Sequence, residues 1–308
     1  MFEFHAGAQW DVFEVRYVRV DDGVFVIPEP QIGTALEAII SVYKPFTPEW
    51  LNALSDDEKK LLAESDFTRR MHDDGAAHIT WLFWRGEHRI IGAPPVVHGA
   101  SAFLLDCGRG PFVVTAGHVY RQFLADAKRS RRLSSQIGNV EFDLGERLID
   151  CGSERRIDIA TFQIHPHEIG DLGKKIVVGT DGAWLAPPNP GEISLFGGFL
   201  GTQRIFIKPD EVSFGMHLGM TPVTDFTDHQ IRCRLDRRYW VDVRGLGLPL
   251  PGFDLGGVSG GPLLVPIHAN GRWSWRLAGV ISEAQMHKEY EVVIAERAHF
   301  ILPNGRIH

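Results

Sequence analysis

From Ala77 onward the chain consists of short apolar runs cut by turn residues, and this texture restricts the fold more than any other feature. "HITWLFWRG", "ASAFLLDCG", "PFVVTAG", "RIDIATFQI", "EISLFGGFLG", "RIFIK", "RLAGVIS" and "EVVIAERAHFI" are all of strand length. Glycine, proline and aspartate stand between them, and long helical periods are few. Such a pattern predicts an all-β sandwich or barrel. The stretch "DGAWLAPPNPGE", Asp181 to Glu192, is poor in ladder donors because of its prolines. It is the best linker in the chain and divides the strands into two sets, residues 77–180 and 190–303.

The first third has a different character. "TPEWLNAL" offers Thr47 as an N-cap with Pro48 in the first helical position. "SDDEKKLLAESDF" opens with a capping box, Ser55 to Glu58, ahead of an amphipathic stretch. With "TALEAIISVY" these segments predict a small helical region over residues 34–73, after a strand-like "VRYVRVDDGVFVIP". Residues 1–76 are therefore expected to form a mainly helical N-terminal appendage of mixed strand and helix. A length of 308 residues suits two barrels and such an addition.

The net charge of −7 argues against nucleic acid as the main partner. The one basic run, "KRSRR" from Lys128 to Arg132, follows an apolar helical pattern and fits a helix end, where cations suit the dipole. No apolar run approaches the roughly eighteen residues that would span a membrane. The N-terminal segment lacks the basic-then-apolar order of a secretory signal. Cys107, Cys151 and Cys233 are odd in number and widely spaced, as reduced thiols are. A cytoplasmic protein, without a membrane or nucleic-acid partner, is the expectation.

Within the second strand set lies "DLGGVSGGPLL", Asp254 to Leu264, with four glycines around Ser259. Small neighbours let a carbonyl approach a serine hydroxyl, and they let backbone N–H groups turn to one point and stabilise an oxyanion. A glycine-rich turn with an incidental serine is the plain alternative. The segment also fits G-x-S-x-G, Gly257 to Gly261, the nucleophile elbow of the α/β-hydrolases. That fold needs an acid and a histidine after the serine and a helix just beyond it. Here Pro262 leads into strand-like "LLVPI", and no aspartate follows Ser259. Chain order excludes the esterase.

A base must then come from upstream. In "PFVVTAGHVYRQFL", His118 stands where a β-like run meets a helix-like one, beside the small corner Ala116-Gly117. Asp158 in "RRIDIATFQI" shares a strand face with Ala160, Phe162 and Ile164. An ionised carboxylate among apolar neighbours needs a hydrogen-bond donor, and a histidine N–H is the partner it would seek. His165, His167 and Glu168 in "HPHE" could coordinate a metal, but Pro166 and the loop context favour a solvated turn.

"TAGH", "DIA" and "GGVSGGP", in the order His–Asp–Ser, resemble the trypsin/chymotrypsin-like serine peptidases over about residues 90–303. The resemblance implies two six-stranded antiparallel barrels with the site in the cleft between them. It makes His118 and Asp158 catalytic residues of the first barrel and Ser259 the nucleophile of the second. It also implies an oxyanion hole from the N–H groups of Gly257 and Ser259. "LAGVIS" is similar to the strand beside the substrate backbone, which implies that Ser282 lies near Asp158 and that Glu283 and Ala284 line the cleft. Phe253 matches the base of the specificity pocket, where trypsin-like members carry an acid. Val258 before the nucleophile resembles the intracellular and bacterial HtrA-like branch, here with no PDZ-like module after the last predicted strand. The implied activity is that of a serine endopeptidase on protein or peptide substrates, without metal or cofactor, with the N-terminal appendage as the place for a regulatory partner. A catalytically idle trypsin-fold protein, serving as a binding or scaffold module, is the alternative.

Overall fold

The computed structural model describes residues 15–19, 55, 65–86, 97–130, 133–179, 186–208, 211–236, 240–242, 250, 253–269 and 272–308. A strand β1 (Val15–Arg19) and a helix α1 (Asp66–Ala76) come first. The N-terminal sheet follows as β2 (Ile79–Gly86), β3 (Val97–Asp106), β4 (Phe112–Ala116), β5 (Leu133–Ile137), β6 (Val140–Glu141), β7 (Leu148–Cys151), β8 (Ile159–Gln163) and β9 (Ile176–Val178). Two helices interrupt it, α2 (Gly117–Arg129) between β4 and β5, and α3 (Pro166–Leu172) between β8 and β9. The C-terminal sheet contains β10 (Ile193–Lys208), β11 (Glu211–Phe226), β12 (Gln230–Asp236), β13 (Trp240–Asp242), β14 (Pro262–Ala269), β15 (Arg272–Met286) and β16 (Tyr290–Arg297).

In the C-terminal sheet the hydrogen-bonded order is β10-β14-β15-β16-β12-β11, and β11 pairs back on β10. Six antiparallel strands thus close into a barrel, with β1 and β13 continuing outward from β11. The N-terminal sheet runs β5-β2-β3-β4-β8-β7, again six antiparallel strands, with the two-residue β6 added at one edge. The parallel strand β9 on β3 is an addition that the strand texture did not predict. The architecture is the all-β pair of antiparallel units expected from the sequence.

Among the described residues, three apolar clusters hold the two units. One lies inside the first sheet (Leu82, Leu104, Phe142, Phe162) and one inside the second (Phe196, Ile231, Val265, Val293). The third joins them, with Ile79, Phe103 and Val114 meeting Leu195, Phe214, Leu218 and Trp275. Burial on both faces explains why β4, "FVVTA", carries an unbroken buried run instead of the usual alternation.

Several local expectations are revised. β10 is one long strand that joins "EISLFGGFLG" to "RIFIK" across an irregularity between Phe199 and Arg204. β11, absent from the list of predicted strands, is the other long arm of that hairpin. Its glycines concealed it, although Gly219 is glycine because a Cβ there would lie 2.5 Å from the Phe196 ring. "HPHE" is no solvated turn: Pro166 starts α3, and Glu168 is buried against Arg147 while accepting from the His165 N–H. Helix α2 does end in Lys128 and Arg129. Of the predicted helical region, only its end falls among the described residues, and the capping box lies outside them except for Ser55.

Helix α1 starts at an N-cap, Ser65, whose hydroxyl accepts from the Thr68 N–H at 3.2 Å. It is part of the body of the protein. Met71 and Ala76 belong to the joining cluster, and Asp74 pairs with Lys175 beside β9 while accepting from the Trp275 indole at 2.8 Å. At the other end of the chain, residues beyond β16 cross from the second unit to the first. Thr161 of β8 donates to the Gly305 carbonyl at 2.5 Å, and the Ile307 N–H donates to Asp150 of β7 at 2.9 Å.

Candidate active site

His118 is the second residue of α2, just past the end of β4, so its own N–H is one of the first-turn donors that a helix leaves unpaired. Asp158 supplies the acceptor. It sits immediately before β8, which pairs with β4, and so outside the strand face on which the sequence pattern put it. Its Oδ1 accepts from the His118 N–H at 2.7 Å, and its Oδ2 lies 2.6 Å from His118 Nδ1. One carboxylate thus caps the helix and aligns the imidazole. Gly117 keeps this corner open, since a Cβ there would crowd Asp158 Oδ1 at 3.1 Å.

Arg121, one turn along α2, donates to Asp158 Oδ1 at 3.0 Å. Burial pushes the Asp158 carboxyl up, but the hydrogen bonds and charge of His118, with the Arg121 guanidinium, outweigh it and hold the group below the usual carboxylate range. An ionised carboxylate only accepts, so Nδ1 carries a proton towards it, and in the neutral ring Nε2 is the nitrogen with the lone pair. The His118 side chain is 42% exposed, against 20% for Asp158, which leaves the outer edge of the ring open to a reactant.

Ser259 arrives on the loop before β14. Its carbonyl accepts from the Ser101 N–H of β3 at 3.0 Å, and its neighbour Gly260 lies against the same part of the first unit. With φ of +87°, and with a Cβ that would fall 2.1 Å from Thr115 Oγ1 and 3.0 Å from the Ala116 nitrogen, position 260 admits glycine alone. Ala116 is the N-cap of α2, so the serine loop sits on the strand end that presents His118. The Ser259 hydroxyl donates to the Ser282 carbonyl over a long 3.4 Å rather than to His118.

The loop backbone shows a pattern. The N–H groups of Gly256, Val258, Gly260 and Gly261 donate to Asp254 Oδ1, Leu255 O, Ile281 O and Val258 O. Those of Gly257 and Ser259 donate to no acceptor among the described residues. The carbonyls of the same two peptide units are occupied, Gly256 O by the Gly201 N–H at 2.8 Å and Val258 O by the Gly261 N–H at 3.0 Å. In a trans peptide the N–H points opposite to its carbonyl. Anchoring the carbonyls therefore fixes both N–H groups while leaving them unpaired, as an anion receptor requires.

Ser282 occupies an irregularity of β15, between Ile281, paired with Ala295, and Glu283, paired with Ile294. Such an extra residue re-aims the backbone, and here the Ser282 carbonyl turns to Ser259 while its hydroxyl donates to Ile294 O at 3.2 Å. The place beside Asp158 that the resemblance implies for Ser282 is supplied in hydrogen-bonding terms by Arg121. Phe253 and Ala284 are half-buried and pack against the core of the second barrel. Glu283 is exposed and accepts from the Gln285 amide. The sequence reading missed Arg121, although i and i+3 on a helix share a face and so placed it beside His118. It also missed Ser101 and Thr115, which lie in apolar strand runs.

No family model and no curated protein matches the chain. Among solved structures, it is similar to the serine protease domain of the Sesbania mosaic virus polyprotein. That match has 14% identity and a TM-score of 0.36, covering 71% of this chain and 88% of that one. It is similar at the same identity and TM-score to a structure from work on the coupled folding and binding of the intrinsically disordered Sesbania mosaic virus VPg protein, over 71% of this chain and 85% of that one. No helix among the described residues is long and apolar enough to cross a membrane.

Proposed function

We propose that the protein is a serine endopeptidase with Ser259 as nucleophile, His118 as general base and acid, and Asp158 as the group that orients it. The observation that carries this reading is the pair of unpaired N–H groups, Gly257 and Ser259, on a loop seated against the strand end that presents His118. In the reaction the Ser259 hydroxyl leaves the Ser282 carbonyl and gives its proton to His118 Nε2 as Oγ bonds to the scissile carbonyl carbon. The two N–H groups take the oxyanion. Collapse breaks the C–N bond, His118 returns the proton to the leaving amine, and water repeats the sequence to release the acyl group. Neither metal nor cofactor has a part in these steps.

Phe253 in place of an acid favours medium or large apolar residues at the cleaved position, while Glu283 is a cleft carboxylate that could still attract a basic side chain. Val258 supports the HtrA-like, cytoplasmic reading, and the segment before Ala77 is the place for a regulatory partner. An idle binding or scaffold protein is the second reading, favoured by the orientation of the Ser259 hydroxyl away from His118. A fluorophosphonate probe separates the two. The proposal expects stoichiometric labelling of Ser259, mapped by mass, and its loss in Ser259→Ala and His118→Ala. An unlabelled folded protein would establish the idle reading.

A further inference from the structure

Ser101 is fully buried in β3 of the first unit, yet its polar atoms are directed at the serine loop of the second. Its hydroxyl donates to the Gly257 carbonyl at 2.7 Å and accepts from the Phe199 N–H of β10 at 2.8 Å. Its N–H donates to Ser259 O at 3.0 Å, and its carbonyl accepts from Thr115 Oγ1 at 2.7 Å. Each donor and acceptor that residue 101 brings to the seam is thus used between the two barrels or to brace the strand beside it.

We infer that the Ser101 hydroxyl is a positioning residue for the oxyanion-binding turn, a latch from the first barrel that sets the backbone of Gly257 in the second; the inference rests on the peptidase reading of Ser259. The turn requires glycine at position 257, where φ is +105° and a Cβ would fall 2.3 Å from Phe199 O and 2.9 Å from Gly201 N. A glycine is conformationally free, so something outside it must select this one conformation. Gly201 N holds the carbonyl on one side of the residue, at Gly256, and the Ser101 hydroxyl holds the carbonyl on the other, at Gly257. The Gly257 N–H lies in the plane held at Gly256 O, and the Ser101 bond holds the plane that follows; together they fix φ and ψ of Gly257, and so the path of the chain from that N–H to Ser259. The hydroxyl does this without a charge. Val258, beside the nucleophile, has no group that could receive an ion pair from elsewhere in the chain, and Ser101 supplies the ordering by an uncharged bond that exists as soon as the barrels meet.

The test compares wild type with Ser101→Ala in the full chain. The readouts are the rate of Ser259 labelling by a fluorophosphonate, kcat and KM on a peptide that the wild type cleaves, and thermal unfolding. Loss of the latch is expected to slow labelling and lower kcat by about tenfold to a hundredfold, with KM within about twofold, in a protein that still unfolds cooperatively. A purely structural role would lower the melting temperature and leave kcat and the labelling rate of the folded protein within twofold of wild type. That result, or a rise in KM at constant kcat, would overturn the inference. If Ser101→Ala fails to fold, Ser101→Cys, of similar volume and weaker hydrogen bonding, takes its place in the same comparison. Absence of labelling in the wild type would instead remove the peptidase reading, and the role of Ser101 with it.

Discussion

Replacing Asp158 by Asn tests the site at its orienting group. Three donors converge on the carboxylate: the His118 N–H and Arg121 Nη2 on Oδ1, and His118 Nδ1 on Oδ2. An amide offers one acceptor edge and one donor edge. With its oxygen at the Oδ1 position, both the backbone N–H and the guanidinium stay satisfied. The flipped amide would set its NH₂ against two donors at once. The first orientation wins, so the NH₂ faces Nδ1, which must then accept. The ring proton moves to Nε2, and on the proposed mechanism the base for Ser259 is gone. The expected fall in kcat is about 10³–10⁴, equivalent to roughly 4–5.5 kcal/mol of barrier, with the melting temperature nearly unchanged because the helix cap survives. Turnover of a peptide that the wild type cleaves measures the first quantity, and ¹⁵N shifts of the His118 ring report the tautomer. Activity within tenfold of wild type, or a ring that keeps its proton on Nδ1, would refute the reasoning.

Gly260→Ala should destabilise the protein by about 3 kcal/mol or more, since it combines a left-handed backbone with a Cβ 2.1 Å from Thr115 Oγ1 and 2.2 Å from Ser101 O. A drop of about 5 °C or more in melting temperature is the measurable form, and an unchanged transition would contradict the close contact. Acid sensitivity should involve Glu168. Burial pushes this carboxyl up, but Arg147 and the His165 N–H hold it below the usual range. The unfolded chain therefore binds the proton more readily, and the stabilisation is complete above about pH 5 and lost as pH falls through the folded value. Wild type should lose melting temperature more steeply between pH 5 and pH 3 than Glu168→Gln, and equal slopes would exclude Glu168 as a contributor.

The sequence was most legible where one residue's local surroundings carry the message. Strand-length runs between turn residues announced the β architecture, and the small corner Ala116-Gly117 placed His118 correctly at a strand-to-helix junction. It was least legible where a residue's reason lies far along the chain. Gly219 breaks the strand pattern of β11 because of Phe196, and Ser101 is an unremarkable serine in an apolar strand until Gly257 comes to meet it. Asp158 was read on a strand face and stands one residue outside it, where a single carboxylate can reach both the backbone and the ring of His118. The free N–H groups of the serine loop have no side-chain signature at all.

The crossing of residues 305–307 from the second barrel to β7 and β8 has a consequence for synthesis on the ribosome. Chains emerge from the N-terminal end, and units fold as they become available. The sheet with His118 and Asp158 clears the tunnel long before Ser259, and the Thr161 hydroxyl of β8 and the Asp150 carboxylate of β7 must wait still longer for the Gly305 carbonyl and the Ile307 N–H. These contacts span 144 and 157 positions, a separation at which loop closure is slow. On the proposed peptidase reading, a nascent enzyme next to other emerging chains would be a hazard, and this order of events leaves the first half-site without its nucleophile, and without its bonds to Gly305 and Ile307, until translation has passed Ile307.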